Sequence, residues 1–121
     1  LLKENSKNMF MDGARVAIFT IKEIPQFIKK FLLKNKLSNR NIKYIALHQA
    51  SKYVCDKIKN KLKFKNDFFL ENYDKYGNTV SSSIPLLLKD CIDKKKLKKN
   101  NIIIACGFGV GLSWGIVKIK W

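Results

Sequence analysis

The sequence predicts an α/β fold in which helices cover a mainly parallel sheet. Short apolar runs that suit buried strands alternate with longer segments whose apolar residues recur at helical spacing. The last two apolar runs are separated only by a glycine-rich turn, which indicates an antiparallel pair of strands at the end of the chain. With 121 residues, the chain is long enough for one small domain with one core.

The first residues do not share this pattern. Residues 1–10 are polar and unpatterned, and we interpret them as an incomplete first segment of the fold, ahead of a domain at residues 11–121. No secretory signal is visible, because Lys3 and Glu4 interrupt the first apolar residues. Since the chain begins with Leu1 rather than Met, we expect it to be a piece of a longer protein.

The first strand and helix are predicted before residue 42. Arg15–Thr20 follows the flexible Gly13 and is predicted to be a short strand. Ile21–Lys34 is predicted to be an amphipathic helix, in which Pro25 is expected only near the first turn, and residues 35–41 end it. The apolar residues with helical spacing in this segment are Ile24, Phe27, Ile28, Phe31 and Leu32.

The middle of the chain supplies two more strands and a helix. Tyr44–Leu47 is predicted to be a buried strand that places His48 at its C-terminal end. A second helix is expected from Ser51, and Phe68–Leu70 is the next predicted strand. The residues on the apolar face of that second helix are Val54, Ile58 and Leu62.

The last third of the chain completes the predicted order of elements, which contains five strands. That order is strand, helix, strand, helix, strand, helix, strand, strand. Ile102–Cys106 and Leu112–Trp121 are the last two predicted strands, and Gly107–Gly111 is the turn between them. In the helix before them, Pro85 either produces a kink or marks the first full turn. The apolar side of that helix is predicted to carry Val80, Ile84, Leu87, Leu88 and Cys91.

The charge of the chain is strongly positive, at +16. Nucleic acid is not the favoured partner, because base recognition favours arginine and the chain has only Arg15 and Arg40. The lysines are spread over every segment, and the run from Lys94 to Lys99 is typical of a solvated helix end. Such a surface attracts an acidic protein or a phosphorylated ligand equally well.

The cysteines and the single histidine limit the possible chemistry. Three cysteines without zinc-ligand or redox spacing indicate free thiols in a reducing compartment, so we expect a cytoplasmic protein. We interpret Cys106 as a small buried packing residue. Because His48 is the only histidine in the sequence, we expect no transition-metal site. No apolar run approaches the length of a membrane span, so no membrane partner is expected.

Three polar or glycine-rich segments follow predicted strands. They are His48, the Gly77–Thr79 turn with Asn78, and Gly107–Gly111, and each also has a purely structural interpretation as a strand end, a capped turn or a hairpin turn. The glycine segment lacks the following helix of a dinucleotide site. Because sites in parallel sheets form at the carboxyl ends of strands, the convergence of all three on one edge favours a functional site.

Three blocks of sequence resemble the C-terminal half of β-ketoacyl-acyl-carrier-protein synthase III, a family of thiolase-like condensing enzymes. The resemblance extends over residues 11–121 and keeps the order of the blocks in the family. The blocks are His48-Gln49-Ala50, then Tyr76-Gly77-Asn78-Thr79 with the small residues Ser81–Ser83 followed by Ile84 and Pro85, then the segment from Gly107 to Gly115.

The resemblance implies a decarboxylating Claisen condensation in fatty acid biosynthesis. In this family a cysteine takes an acyl group from coenzyme A, and malonyl carrier protein then loses carbon dioxide and attacks that thioester. His48 and Asn78 would be the two neutral donors that stabilise the enolate oxygen. The loop of Phe108, Gly109, Val110 and Gly111 would lie close to the acyl thioester, with the N–H of Val110 as an oxyanion donor.

The resemblance also implies partners. Gly13, Ala14 and Ser51 would line the pantetheine tunnel, and Lys52 and Lys61 would contact an acidic acyl carrier protein. No cofactor is implied, since the substrates themselves carry coenzyme A or phosphopantetheine. The complete enzyme would be a homodimer.

Several positions depart from the family pattern. Ser51 stands where the family usually has Asn, Tyr53 where Arg is common, and Val110 where Gly is common. The nucleophilic cysteine belongs to the N-terminal half of the family, so we expect this chain alone to be inactive and to need that half as a partner. Two other functions stay open: a related acyltransferase acting on another acceptor, and a non-catalytic basic binding module.

Overall fold

In the computed structural model, which describes residues 11–109 and 112–121, helices and strands alternate along the chain. The residues interpreted as an incomplete first segment, 1–10, lie outside the described residues, and so do Val110 and Gly111. Two short 3-10 helices occupy Asn66–Phe68 and Val80–Ser82. The other elements, in chain order, are α1 (Gly13–Lys34), β1 (Tyr44–Leu47), α2 (Lys52–Leu62), β2 (Phe69–Leu70), α3 (Tyr73–Tyr76), α4 (Ser83–Asp93), β3 (Ile102–Gly109) and β4 (Ser113–Lys120).

The strands form one mixed sheet in the order β2-β1-β3-β4. Strand β1 runs parallel to both of its neighbours, and β3 pairs with β4 in antiparallel fashion. The predicted α/β class, the parallel pairing and the antiparallel last strand are confirmed. The prediction of five strands was wrong, since the described residues contain four.

The sheet separates two cores. Along β3, Ile104 and Cys106 face α1 and α2, whereas Ile103 and Ala105 belong to the core on the α4 side. This alternation follows from the two-residue period of a strand, and both faces of the strand are apolar because both are covered by helices. The result is a three-layer arrangement of helices, sheet and helix.

The predicted strand at Arg15–Thr20 was wrong, because these residues form the first turns of α1. Asp12 caps the helix, with its Oδ1 accepting a hydrogen bond from the backbone N–H of Arg15 at 3.0 Å. Thr20 then begins a buried stripe at four-residue spacing that continues through Ile24 and Ile28. Burial of that stripe outweighs the strand preference of the β-branched residues in the segment.

The two prolines occupy different helical positions. Pro25 is buried in the interior of α1, so the expectation that it lies near the first turn was wrong. Its ring removes one helical hydrogen bond, at a cost on the order of 3 kcal/mol, but buried residues before and after it keep α1 continuous. Pro85 lies in the first turn of α4, where no N–H partner is lost.

The apolar side predicted for the helix that contains Ile84 is confirmed, except at its first predicted residue, Val80. Val80 lies before α4 in the 3-10 turn and is 74% exposed. Leu87 and Cys91 are buried in the core on the α4 side, and Ile84 and Leu88 pack against it.

Candidate active site

A cavity of about 720 Å³ opens at the carboxyl ends of β1 and β3. It brings together all three segments that the sequence analysis placed at this edge of the sheet. In addition, α1, α2 and β4 contribute side chains to its walls. The predicted site residues that line it are Gly13, His48, Ser51, Asn78, Phe108 and Gly109.

His48 is held at the end of β1 by the sheet itself. Its backbone N–H donates to the carbonyl of Cys106 at 2.9 Å, which extends the parallel pairing of β1 and β3 by one residue. Its ring packs edge-on against Phe108, with ring centres 5.4 Å apart. Burial lowers the pKa of the His48 imidazole below 6.5, because the charged form is poorly solvated in this position. The ring is therefore neutral near pH 7 and can donate one hydrogen bond.

The Asn78 carboxamide is oriented by its own backbone. Its Oδ1 accepts a hydrogen bond from the N–H of Val80 at 3.0 Å. The Nδ2 group has no hydrogen-bond partner among the described residues, and since Asn78 is an exposed residue of the cavity wall, Nδ2 can donate to a bound molecule. The preceding Gly77 has φ 64° and ψ −154°, a conformation that is essentially restricted to glycine. The sequence Gly-Asn at this turn therefore has a conformational reason as well as a chemical one.

The remaining predicted site residues differ in whether they line the cavity, lie outside it or fall outside the described residues. Ala14 is exposed in the first turn of α1 and is not part of the cavity wall. Ser51 caps α2, accepting a hydrogen bond from the N–H of Val54 at 3.2 Å. Lys52 and Lys61 are both exposed on α2, and Lys52 forms an ion pair with a neighbouring carboxylate at 2.9 Å. The predicted oxyanion residues Val110 and Gly111 lie outside the described residues.

Sequence reasoning missed several side chains of the cavity wall. Most come from α1, whose first turns were predicted as a strand, so the signal that could have found them is the helical spacing of Val16 and Thr20 with Ile24. Trp114 comes from β4, where its ring contacts Phe19 and Phe27 of α1 at 5.2 and 5.8 Å between centres. The missed lining residues include Val16, Ala17, Thr20, Ile84 and Trp114.

None of the cysteines in the described part of the chain is suited to act as a nucleophile. Burial raises the pKa of Cys106 to about 12 and that of Cys55 to about 11, and it also raises the pKa of Cys91. The thiolate is the reactive form, so these thiols are inert near neutral pH. The interpretation of Cys106 as a buried packing residue is confirmed, since none of its surface is exposed.

Two other features are absent from the described residues. No group of three or more His, Cys, Asp or Glu side chains there is placed to hold a metal ion. Among the same residues, no helix has the length and apolar character needed to cross a membrane.

The titration of His48 provides a direct test of this site. Because the chain contains a single histidine, its ring signals in an NMR titration are unambiguous. We expect a midpoint below 6.5 in the folded chain and near 6.5 in urea. The stability contributed by the neutral ring is thus present above pH 6.5 and is lost as the pH falls through 6.5 toward the lower pKa of the folded state. A folded-state midpoint at or above 6.5 would contradict the burial of this ring.

The fold is similar to solved structures of larger enzymes. A crystal structure of 3-oxoacyl-(acyl-carrier-protein) synthase III superposes with a TM-score of 0.87 and 31% identity, covering 93% of this chain and 33% of that one. The β-ketoacyl-[acyl carrier protein] synthase III of Thermus thermophilus gives a TM-score of 0.88 at 27% identity, covering 96% of this chain and 36% of that one. The architecture is therefore a thiolase-like half-fold.

Sequence comparisons narrow this class to one family. The family model for the 3-oxoacyl-[acyl-carrier-protein (ACP)] synthase III C terminal matches residues 32–121, and the chain belongs to that family. A curated β-ketoacyl-[acyl-carrier-protein] synthase III from Prochlorococcus marinus (strain MIT 9215) is 39% identical over 111 residues, covering 92% of this chain and 33% of the relative. The corresponding protein from Microcystis aeruginosa is 35% identical over 119 residues, covering 98% of this chain and 36% of the relative. The chain thus spans about a third of the length of these relatives.

Proposed function

We propose that this chain is the C-terminal catalytic part of a 3-oxoacyl-acyl-carrier-protein synthase III-like enzyme. The enzyme would condense an acyl-CoA with malonyl carrier protein in cytoplasmic fatty acid biosynthesis. The observation that carries the proposal is the pair of neutral donors, the imidazole of His48 and the Nδ2 group of Asn78, on the wall of one cavity in a member of this family.

The proposed chemistry uses these donors at the decarboxylation step. The bond between the malonyl carboxylate and its neighbouring carbon breaks, and its electron pair becomes an enolate on the thioester oxygen. His48 and Asn78 would donate hydrogen bonds to that oxygen, where negative charge develops. The enolate carbon then attacks the acyl thioester on a cysteine, which leaves as thiolate.

Neutral donors suit this task better than a cation would. A lysine in either place would bind the malonyl carboxylate in the ground state as strongly as the enolate, and so would lower the barrier little. Val16, Ile84 and Phe108 make part of the cavity wall apolar, and hydrogen bonds to a developing charge would be stronger there once bound substrate displaces water.

The partners follow from the same proposal. The nucleophilic cysteine would come from an N-terminal half, since the described cysteines are buried with raised pKa values. An acidic acyl carrier protein would dock near Lys52 and Lys61. Of these two, Lys61 has no carboxylate within 4.0 Å among the described residues, and its charge is therefore fully available to a partner.

The proposal is tested with a chimera in which residues 11–121 replace the matching segment of the Prochlorococcus marinus relative. We expect the chimera to release carbon dioxide from malonyl carrier protein in the presence of acyl-CoA and to form a 3-oxoacyl product. The 121-residue chain alone should do neither. Condensation by the chain alone would contradict the need for a second half. A chimera that transfers acyl groups without releasing carbon dioxide would instead favour a different acceptor.

A further inference from the structure

Three of the buried polar residues in the described part of the chain form one hydrogen-bonded group. They are Gln49, Asn72 and Ser83, which are 1%, 4% and 2% exposed. None of the three is among the described residues that line the cavity. Burying an amide or a hydroxyl costs free energy unless its partners are present, so this group requires an explanation beyond packing.

Gln49 is the centre of the group, with three hydrogen bonds. Its backbone N–H donates to the Ser83 hydroxyl oxygen at 2.6 Å, and its Nε2 donates to the carbonyl of Leu47 at 2.9 Å. Its Oε1 accepts from the backbone N–H of Asn72 at 3.1 Å. Gln49 therefore connects the end of β1 to the end of β2 and to the first turn of α4.

Both connections reach the segment that carries Asn78. Asn72 lies before Asn78 in the chain and Ser83 lies after it, and Gln49 directly follows His48. One residue adjacent to the first proposed donor thus holds both ends of the segment that presents the second. A further bond, from Asn72 Nδ2 to Asp90 Oδ2 at 3.3 Å, fixes the same end of the segment to α4.

Between these two ends the backbone hydrogen bonds of the segment are local, and two side chains, Tyr76 with its hydroxyl at 3.4 Å and Lys75 with its Nζ at 3.9 Å, contact Asp90 Oδ1 of α4. The N–H of Tyr76 donates to Asn72 O at 3.0 Å, that of Gly77 to Tyr73 O at 2.9 Å, and that of Ser82 to Thr79 O at 3.0 Å. Such bonds set the shape of the segment but not its distance from β1. The distance of the segment from His48 therefore depends on its two ends and on the contacts of Tyr76 and Lys75 with α4, and only the two ends are tied to the strand that carries His48.

We propose that Gln49 and Ser83 are positioning residues that hold the Asn78 carboxamide at the right distance from the His48 imidazole. The proposal rests on the proposed function, because it concerns the same pair of donors. Catalysis by preorganised donors is sensitive to their placement, and a displacement of about 1 Å can cost up to about 10²-fold in rate.

The experiment uses the chimeric enzyme and compares two rates. One is carbon dioxide release from malonyl carrier protein, which needs both donors; the other is acyl transfer from acyl-CoA to the nucleophile, which needs the cavity but neither donor. For Ser83→Ala and Gln49→Met we expect carbon dioxide release to fall about tenfold and acyl transfer to change less than about twofold. Ser82→Ala is the matched control, since Ser82 is exposed and its side chain makes no capping hydrogen bond to α4, and both rates should be unchanged.

A double substitution separates positioning from general stabilisation. If Ser83 acts through Asn78, adding Ser83→Ala to Asn78→Ala should cause less than about a twofold further loss. A full tenfold further loss, or an equal fall of both rates in Ser83→Ala, would overturn the inference and leave the proposed function intact. No effect of Asn78→Ala on carbon dioxide release would overturn both. If Ser83→Ala does not fold, Ser83→Cys, which has the same shape, is slightly larger and is only a weak acceptor, takes its place with the same expected results.

Discussion

Replacing Asn78 with alanine is expected to lower carbon dioxide release by the chimeric enzyme by about 10² to 10³-fold, the usual cost of losing one oxyanion donor. The physical reason lies in the orientation of the amide. Because Oδ1 is bonded to the N–H of Val80 at 3.0 Å, only Nδ2 is available to the enolate. Asn78→Asp keeps that acceptor but places a carboxylate oxygen where the donor was. Its rate should therefore be no higher than that of Asn78→Ala, since it repels the enolate.

The matched control for this prediction is Asn60→Ala. Asn60 is an exposed asparagine on α2 with no side-chain partner among the described residues, and its replacement should leave the rate unchanged. His48→Ala should cause a loss of similar size to that of Asn78→Ala. Because the two donors act on one oxygen, the double variant should lose less than the product of the single effects. Full activity of Asn78→Asp would show that this side chain is a turn residue and not a donor.

The proximity of His48 to the glycine segment that begins at Gly107 could be predicted from the sequence. Parallel strands end at the same edge of a sheet, and the pairing of Leu47 with Cys106 places His48 beside Gly107. Each of these strands is a compact apolar run, and such runs are the clearest local signal in the chain.

The first turns of α1 could not be predicted from local pattern alone. Residues 16–19 form a short continuous apolar run, as in a buried strand, and two of them, Val16 and Ile18, are β-branched aliphatics. Thr20 also starts the four-residue spacing that continues to Ile24, and this second pattern prevails because it is buried between other elements. Ile18 is correspondingly left 68% exposed.

The support of Asn78 was equally hidden in the sequence. The bond between Gln49 and Ser83 joins residues 34 positions apart, and no local propensity encodes such a contact. Read locally, Ser83 is a small residue at the start of a helix, and Gln49 is a polar residue after a strand. Only the packing of α4 against the end of β1 brings them together. That is why the sequence could point to His48 and Asn78 as proposed donors but not to Gln49 and Ser83 as proposed positioning residues.

The stability of the half-fold is expected to depend on the buried stripe of α1. Ile28 is fully buried in the core between α1, α2 and the sheet. Ile28→Ala should lower the free energy of unfolding of the chain by about 3 kcal/mol, through lost transfer free energy and the cavity that remains. Urea denaturation followed by far-UV circular dichroism measures this loss.

Leu33→Ala on the same helix is the matched control, because Leu33 is 81% exposed. Alanine has a higher helix propensity than either residue it replaces, so propensity alone would slightly stabilise both variants. If the two variants change the free energy of unfolding with opposite signs, or by amounts that differ several-fold, the burial of Ile28 is therefore the cause. Equal effects on the free energy of unfolding would mean that the stripe through Thr20, Ile24 and Ile28 does not face the core. The helical assignment of residues 15–20, which depends on that stripe, would then lose its physical basis.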